Sequence, residues 1–323
     1  MRGRVIGLIL LGVGAFLIAA ALSVRLILAP TMVKLPLDQT AEPTASGTGV
    51  SYFDLGEMRQ LRGLEAEVQQ RVQGDPGSED AGDDVAVWNF GSTMNDADGT
   101  LLNAYTYRVC LDRTEAVAVD CESDHVDDDR SKDVEGLTLT FPFGTEQRDY
   151  DVFNPTTGSS FPARFEGVEE LEGLEVYKFV TTVPETVIRE TEVPGALVGD
   201  PDAGTVEAEV VYSNQRTVWV EPTSGVVVTA SEQPNTVLRG PDGQTGATIL
   251  AGTFSGTEQT IADGVQRAEE NRDQITLIRQ TVPLVVGGVG LVLLVGGAVL
   301  VARDRRTGRS AHADGGSRAA TGS

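Results

Sequence analysis

The sequence has few of the residues on which catalytic and nucleic-acid-binding sites depend. Aromatic residues make up 6% of the 323 residues, and the chain has two cysteines and two histidines. So few histidines leave little for a zinc site or for Ser–His nucleophilic chemistry. Lysine and arginine total 25 against 48 acidic residues, which gives a formal net charge of −23. A chain this acidic lacks the basic surface with which proteins bind nucleic acid, so we expect no nucleic-acid partner.

Sequence motifs of several common enzyme classes are absent as well. The chain contains no phosphate-binding G-x-x-x-x-G-K-[ST], no G-x-S-x-G nucleophile elbow and no H-E-x-x-H zinc motif. His125 lies in the densest acidic run, residues 124–129, but this run lacks the spaced ligands and the glycine of a calcium-binding loop. We therefore expect a solvated acidic loop there, and a protein that is not an enzyme and has no cofactor, metal or catalytic residue.

The charge is distributed unevenly along the chain. Residues 1–28 and residues 303–323 each carry a net charge of +3, and subtracting both from −23 leaves −29 for residues 29–302. Basic ends and an acidic body are typical of a chain whose ends lie in one compartment and whose body lies in another. The boundaries between the basic ends and the acidic body are therefore the places to look for membrane crossings.

Two long uncharged apolar runs lie at those boundaries. Residues 5–24 and residues 282–302 contain no charged residue, and about 20 residues of helix cross a bilayer core of about 30 Å. We predict transmembrane helices over residues 5–28 and 282–302, because backbone polar groups in lipid must be satisfied within the segment. A cleaved signal peptide is the alternative for the first run, although its apolar stretch is longer than the usual ~7–15 residues.

The arginines beside these runs predict the topology. Arg2 and Arg4 precede the first run, and four arginines follow the second between residues 303 and 309. Because positive charge favours the cytoplasmic side, we expect residues 1–4 and a disordered tail of residues 303–323 in the cytoplasm. The prediction is a plasma-membrane protein with two membrane-spanning helices and its main domain outside the cytoplasm.

Glycines in the two apolar runs are spaced for helix contact. Gly7 and Gly14 are seven residues apart in the first run, as are Gly290 and Gly297 in the second. A spacing of seven places both glycines of a pair on one helix face, where two backbones can approach closely. We therefore predict that these four glycines pack the two helices against each other in the lipid bilayer.

The body of the chain reads as a β domain. Short runs rich in β-branched residues at 85–93, 101–111, 176–183, 205–212 and 217–220 are separated by turn sequences such as NDADG and DPDAG. We predict a mainly antiparallel β domain, with some α structure, over residues 29–256. Residues 61–72 fit either a strand or a helix, and we favour a strand.

A helical stalk is predicted between the β domain and the second apolar run. Apolar residues recur at helical spacing over residues 257–281, and Ser255 with Glu258 matches a capping box. Pro283 follows the stalk and permits a kink where it joins the membrane helix. Upstream, Cys110 and Cys121 have ten residues between them, and outside the cytoplasm such a pair is expected to form a disulfide.

Three segments resemble a known family. These are VDC at residues 119–121, GLTLTFPFGTE at residues 136–146 leading to Tyr150, and WVEPTSG at residues 219–225. Together with the two anchors they resemble an actinobacterial family of unknown function that carries the label "porin PorA family", over residues 1–305. The resemblance implies an N-terminal anchor, a β-rich body and a C-terminal anchor, and it supplies no catalytic residues.

Two functional hypotheses follow. The first is a non-catalytic integral membrane protein of the actinobacterial cell envelope that binds or handles an envelope lipid or a partner protein above the lipid bilayer; its lipid version predicts an apolar cavity in the β domain. The alternative, which the family label suggests, is a porin or channel-forming protein. Outer-membrane barrels need strands of ~9–11 alternating residues, whereas the strands here read as short and acidic, and two helices alone cannot enclose a pore.

Overall fold

The computed structural model describes residues 2–54 and 56–313, and the chain divides into two compact units. The helical unit combines the N-terminal residues up to Val33 with the residues from Asp273 onward, and the β unit is Lys34–Arg272. Two helical segments are long and apolar enough to cross a membrane, Val5–Leu28 and a stretch within Glu258–Arg303. The predicted fold class, an antiparallel β domain with an apolar helix at each end of the chain, is confirmed.

The helices are interrupted at two places, each shortly before a proline. In chain order they are α1 Arg2–Ser23, a π-helical turn Val24–Leu28, α2 Ala29–Met32, α3 Glu258–Thr276, a second π-helical turn Leu277–Thr281, and α4 Val282–Ala313. Each π turn ends two residues before a proline, Pro30 or Pro283. Proline has no N–H and its ring would clash with the carbonyl four residues earlier, so the preceding turn widens. At Pro283, a π turn therefore lies where the sequence predicted that a kink is permitted.

The last helix is longer than predicted. Residues 303–313 continue α4, whereas the sequence predicted a disordered tail over residues 303–323. No proline occurs between residues 303 and 313, and arginine and alanine favour helix, so the backbone hydrogen-bond ladder can continue. The remainder of the predicted tail, residues 314–323, lies outside the described residues.

In the described part of the chain, thirteen strands form one sheet, whose main path runs β6-β5-β4-β3-β2-β13-β11-β10-β9-β8-β7. Every paired strand is antiparallel to its neighbour. The strands are β1 Thr40–Ala41, β2 Thr44–Asp54, β3 Arg59–Gly74, β4 Val85–Asp96, β5 Leu101–Asp112, β6 His125–Val126, β7 Tyr150–Asn154, β8 Ser159–Leu171, β9 Leu174–Pro194, β10 Thr205–Val220, β11 Val227–Glu232, β12 Asn235–Arg239 and β13 Thr245–Gly256; a 3-10 turn, Gly195–Val198, separates β9 from β10.

The predicted strands lie where the sequence placed them, but several are longer than the short runs predicted, up to the 21 residues of β9. The β4–β5 hairpin turns at Gly99, whose φ of 83° only glycine adopts readily, and the ambiguous residues 61–72 lie in β3. Residues 205–212 and 217–220 were predicted as two strands, but they form the single strand β10. The pairing of β10 with β9 shifts register between Tyr212 and Asn214, which indicates that a β-bulge takes up the irregularity without ending the strand.

The sheet curls until its two ends meet. The rings of Tyr107 in β5 and Phe153 in β7, near opposite ends of the strand order, lie edge to face with centroids 6.4 Å apart. Isolated bridges join Leu111 to Ala118, Val117 to Leu137, and Leu137 to Val152, and so connect β5 with β7 through the intervening loop. The curled sheet therefore has an inner face that is enclosed by its own strands.

Helix α3 covers part of the outer face. Val265 and Ala268 of the helix pack with Leu174, Val176 and Val228 of the sheet. The N-cap of α3 is Thr257, whose hydroxyl accepts a hydrogen bond from the Thr260 N–H at 3.2 Å, and not Ser255 as the capping-box pattern predicted. Ser255 ends up in β13 and its hydroxyl lies 3.1 Å from that of Ser231, because the strand continues to Gly256.

Candidate functional site inside the β domain

Polar side chains interrupt the apolar inner face of the first half of the sheet. In β3, Gln70 lies between Val68 and Val72, which belong to two different apolar clusters. In β4, Ser92 lies in the same way between Phe90 and Met94. Since every second residue of a strand faces the same side, Gln70 and Ser92 face inward between the two clusters.

Strand register places these residues in one row. Gln70 is directly opposite Ser92, and Ser92 is directly opposite Tyr105 of β5. Side chains at directly opposed positions share a face of the sheet and lie close together. The row therefore crosses β3, β4 and β5 at a single level of the inner face.

A second polar row crosses the other half of the sheet. Arg216 of β10 is directly opposite Glu232 of β11, and its Nε lies 3.0 Å from the Glu232 Oε1. Glu232 is in turn opposite Phe254, a buried residue of the inner-face cluster around Val50. We call Gln70, Ser92, Tyr105, Arg216 and Glu232 the interior polar cluster.

Electrostatic coupling links the two rows across the interior. Burial raises the pKa of Tyr105, and the Glu232 carboxylate raises it further while Arg216 opposes this. Burial also raises the pKa of Tyr107, so both phenols are protonated at neutral pH. Burial acts to lower the pKa of Arg216, but Glu232 and the tyrosines outweigh it and the pKa is raised. The cluster therefore holds one guanidinium, one carboxylate and uncharged hydroxyls.

The interior polar cluster borders accessible space. Arg216 and Glu232 each keep 31% of their side-chain surface accessible, and Gln70 and Tyr105 are half-buried. Yet burial is the largest influence on the pKa values of both Tyr105 and Arg216. The side chains of the interior polar cluster are therefore partly accessible on the inner face. The Arg216 Nε is itself buried and has no well-aligned acceptor among the described residues.

Further apolar and polar groups lie in the strands around the interior polar cluster. Tyr52, Leu64 and Leu250 are half-buried and pack against the Val50 cluster on the inner face. In β10, Asn214 is buried and its Oδ1 accepts a hydrogen bond from the Gln233 N–H at 3.1 Å. The Tyr212 hydroxyl accepts one from the Asn154 amide at 3.4 Å. The domain therefore has polar groups and partly accessible apolar residues in neighbouring strands.

The predicted disulfide is confirmed. Cys110 and Cys121 are bonded, with their Cα atoms 6.2 Å apart. The Asp80 carboxylate lies close to both sulfur atoms, within 4.8 Å, but neither sulfur is a free thiolate that could bind a metal ion. The bond connects β5 to the loop that follows it.

The four glycines predicted to pack the membrane helices lie where α1 and α4 approach. A Cβ at Gly14 would lie 2.6 Å from the Gly290 carbonyl oxygen, and a Cβ at Gly7 would lie 2.9 Å from that of Gly297. In the same way, a Cβ at Gly290 would lie 2.9 Å from the Gly14 carbonyl oxygen, and a Cβ at Gly297 would lie 2.7 Å from that of Gly7. At these four positions the helix backbones are too close for any side chain larger than glycine's.

Carboxylates of the acidic run at residues 124–129 accept hydrogen bonds from nearby backbone and side-chain groups. The Asp127 carboxylate accepts from the Thr106 N–H at 2.8 Å, and the Asp129 carboxylate accepts from the Ser131 N–H and hydroxyl at 2.9 and 2.6 Å. His125 lies 3.6 Å from the Asp128 carboxylate. These carboxylates cap turns, which explains the residues without a ligand.

The interior polar cluster was not foreseen from the sequence. Its signal lies in β10, where every second residue from Asn214 to Val220 faces inward and places Arg216 beside the apolar Val218. A charged residue in an apolar alternation is a usable sign of an interior site. Because the sequence predicted separate strands at residues 205–212 and 217–220, the alternation across residues 214–220 was not recognised.

The fold and the site define a class: a membrane protein with a curled antiparallel β domain and an apolar helix near each end of the chain. The family model "Porin PorA" matches residues 6–299, and the chain belongs to this family. A relative from Corynebacterium amycolatum named "Porin PorA" is 24% identical over 90% of this chain and 97% of its own length. A "Porin PorA" of Corynebacterium resistens is also 24% identical, over 55% of this chain and 58% of its own length.

Proposed function

We propose that this protein is a non-catalytic membrane protein of the cell envelope whose β domain lies outside the cytoplasm and binds an envelope amphiphile. The basic ends of the chain favour cytoplasmic termini, and the net charge of −29 over residues 29–302 suits a domain in the aqueous space beyond the membrane. The two helices would hold this domain at the membrane, where amphiphiles are supplied.

The observation that carries the proposal is the partly accessible polar and apolar surface at the interior polar cluster. Arg216 and Glu232 keep accessible surface inside the domain, and the half-buried apolar residues Tyr52, Leu64 and Leu250 lie on the inner face nearby. Ligand sites commonly combine an apolar wall with a few placed polar groups. The lipid version of the sequence hypothesis predicted an apolar cavity, whereas this surface also has polar groups and so suits a molecule with both a polar and an apolar part.

The test is the composition of lipids that co-purify with the full-length protein. We expect one amphiphile class to be enriched over the bulk membrane extract when the bound lipids are analysed by mass spectrometry. Gln70→Trp fills the inner face at the cluster and should abolish the enrichment. Gln69→Trp places the same side chain at the exposed neighbouring position and should leave it unchanged. Bound lipids with the composition of the bulk membrane would contradict the proposal.

Channel formation is the second candidate, and the family name and the names of the two relatives favour it. The close approach of α1 and α4 at their glycines leaves no space between them for a pore, so conduction would require several copies. Planar bilayers with the pure full-length protein test this. Stepwise conductance that changes in an Arg25→Glu variant, which reverses the charge in the first π turn, would support the channel.

A further inference from the structure

We propose that the interior polar cluster recognises an uncharged, hydroxyl-rich headgroup, such as that of a sugar-bearing amphiphile. This inference rests on the proposed function and names the chemistry of its ligand. It is argued from the charge balance of the cluster, its hydrogen-bonding groups and the apolar surface beside it.

Charge balance disfavours headgroups with a single net charge. The Arg216 guanidinium is already matched by the Glu232 carboxylate at 3.0 Å, so an anion would gain one attraction and meet one repulsion. An anionic headgroup would also enter a domain that lies in the segment of net charge −29. A cationic headgroup would meet Arg216. An uncharged headgroup avoids both costs, since burying an unmatched charge is expensive.

The hydrogen-bonding groups suit hydroxyls. Arg216 only donates and Glu232 only accepts, while the hydroxyls of Ser92 and Tyr105 do both. A ligand hydroxyl also donates and accepts, so it can satisfy either partner of the ion pair without protonation.

Aromatic and aliphatic groups complete the site. The Tyr105 ring lies against Phe90 with centroids 5.7 Å apart and forms an apolar wall next to the polar row. Leu64 and Leu250, half-buried on the same face, offer contact to an apolar chain attached to the headgroup. Head and tail of one amphiphile thus find matching surfaces on neighbouring parts of the inner face.

The headgroup is tested with two probes that share one tail. Full-length protein in lipid nanodiscs is titrated with octyl β-glucoside and with octyl phosphate, both below their micellar concentrations, and binding is measured by native mass spectrometry. We expect saturable binding of one octyl glucoside. Octyl phosphate should bind at least about tenfold more weakly, because a like charge beside Glu232 is unfavourable. Equal or tighter binding of octyl phosphate overturns the headgroup inference and leaves amphiphile binding intact. Absence of binding by both probes overturns the proposed function as well.

Matched double variants locate the site. Arg216→Met with Glu232→Gln removes the ion pair without leaving an unpaired charge, and we expect about tenfold weaker glucoside binding, as two polar contacts are lost. Arg239→Met with Glu209→Gln removes a similar cross-strand pair, joined at 2.7 Å elsewhere in the sheet, and should leave binding unchanged. Unchanged binding in the first variant, or an equal loss in both, overturns the assignment to this cluster. The comparison of the two probes on the unaltered protein stands even if a variant fails to fold.

Discussion

The buried side chain of Glu221 holds the turn between β10 and β11 together. Its carboxylate accepts from the Thr223 N–H, the Ser224 N–H and the Ser224 hydroxyl at 3.0, 2.7 and 2.6 Å. The Gly225 carbonyl then accepts from the Phe141 N–H and the Thr140 hydroxyl, each at 2.9 Å. Two of the three segments that carry the family resemblance, residues 136–146 and 219–225, therefore support each other in space.

Gly225→Ala should be strongly destabilising. Gly225 has φ of +74°, and a Cβ there would lie 2.0 Å from the Phe141 carbonyl oxygen. We expect a loss of about 3 kcal/mol or more in the free energy of unfolding. Gly243→Ala has a similar φ of +81° but open space around it, so backbone strain alone should cost about 1–2 kcal/mol. Denaturant unfolding followed by the fluorescence of Trp88 and Trp219, both in the β domain, compares the two; equal losses would show that the contact with Phe141 is unimportant.

The pair of Asp75 and Arg108 makes stability depend on pH. The groups lie 2.8 Å apart, and the hydrogen bond from Arg108 lowers the pKa of Asp75. A carboxyl whose pKa is lower in the folded state stabilises the fold above its unfolded pKa of about 4 and loses that effect as the pH falls.

Asp75→Asn should therefore destabilise the β domain at pH 7 and much less at pH 3. The loss at pH 7 should stay below about 1 kcal/mol, because solvent screens this partly exposed pair. Urea titrations of both proteins at the two pH values measure the difference. A difference that is the same at pH 3 and pH 7 would contradict the role of the Asp75 charge.

At the scale of elements, the helix pair depends on glycine in a position-specific way. A Cβ at Gly14 meets the backbone of α4, whereas a Cβ at Gly12 has nothing within 4 Å. The separation of the helices can be tested at Gly287, since a Cβ there would lie 3.6 Å from that of Ala21. That separation is within the range for a disulfide.

An Ala21→Cys, Gly287→Cys protein should form a disulfide between α1 and α4 upon mild oxidation. Adding Gly14→Leu should reduce the yield severalfold by forcing the helices apart, and adding Gly12→Leu should not. Electrophoretic mobility under non-reducing conditions gives the yield, and the native cysteines do not compete because they are already bonded. Equal yields in the two leucine variants would mean that Gly14 does not set the helix separation.

The disulfide constrains one short loop. Cys110 and Cys121 are 11 residues apart in sequence, and closing a loop of this size stabilises a fold by about 2–4 kcal/mol, largely through the unfolded chain. Replacing both cysteines by serine should lower the unfolding free energy of the β domain by that amount. A loss under 1 kcal/mol in guanidinium titrations would indicate that other contacts already hold the loop.

At the scale of the whole molecule, charge asymmetry predicts topology. A single extra cysteine at Asp98, exposed in the β4–β5 turn, should react with an impermeant maleimide added to intact spheroplasts. One at Thr307, beyond the second apolar run, should react only after the membrane is permeabilised. Labelling of both before permeabilisation would contradict cytoplasmic termini.

The chain's local features could be predicted and its long-range pairings could not. The apolar helices, the β4–β5 turn at Gly99 and the disulfide each depend on residues close in sequence. The N-cap of α3 was misplaced by two residues. Ser255 with Glu258 matches the capping-box pattern, but β13 continues to Gly256 and the helix is capped by Thr257.

The sequence by itself determined that two apolar helices bracket an acidic β domain, because hydrophobic length, charge and strand alternation are properties of contiguous residues. Only the tertiary structure decided where the interior polar cluster lies. Gln70, Ser92 and Tyr105 meet Arg216 and Glu232 through strand register and through the curling of the sheet. More than one hundred residues separate the two groups in sequence, and pairings over that distance are set by the packing of the whole sheet rather than by any local pattern.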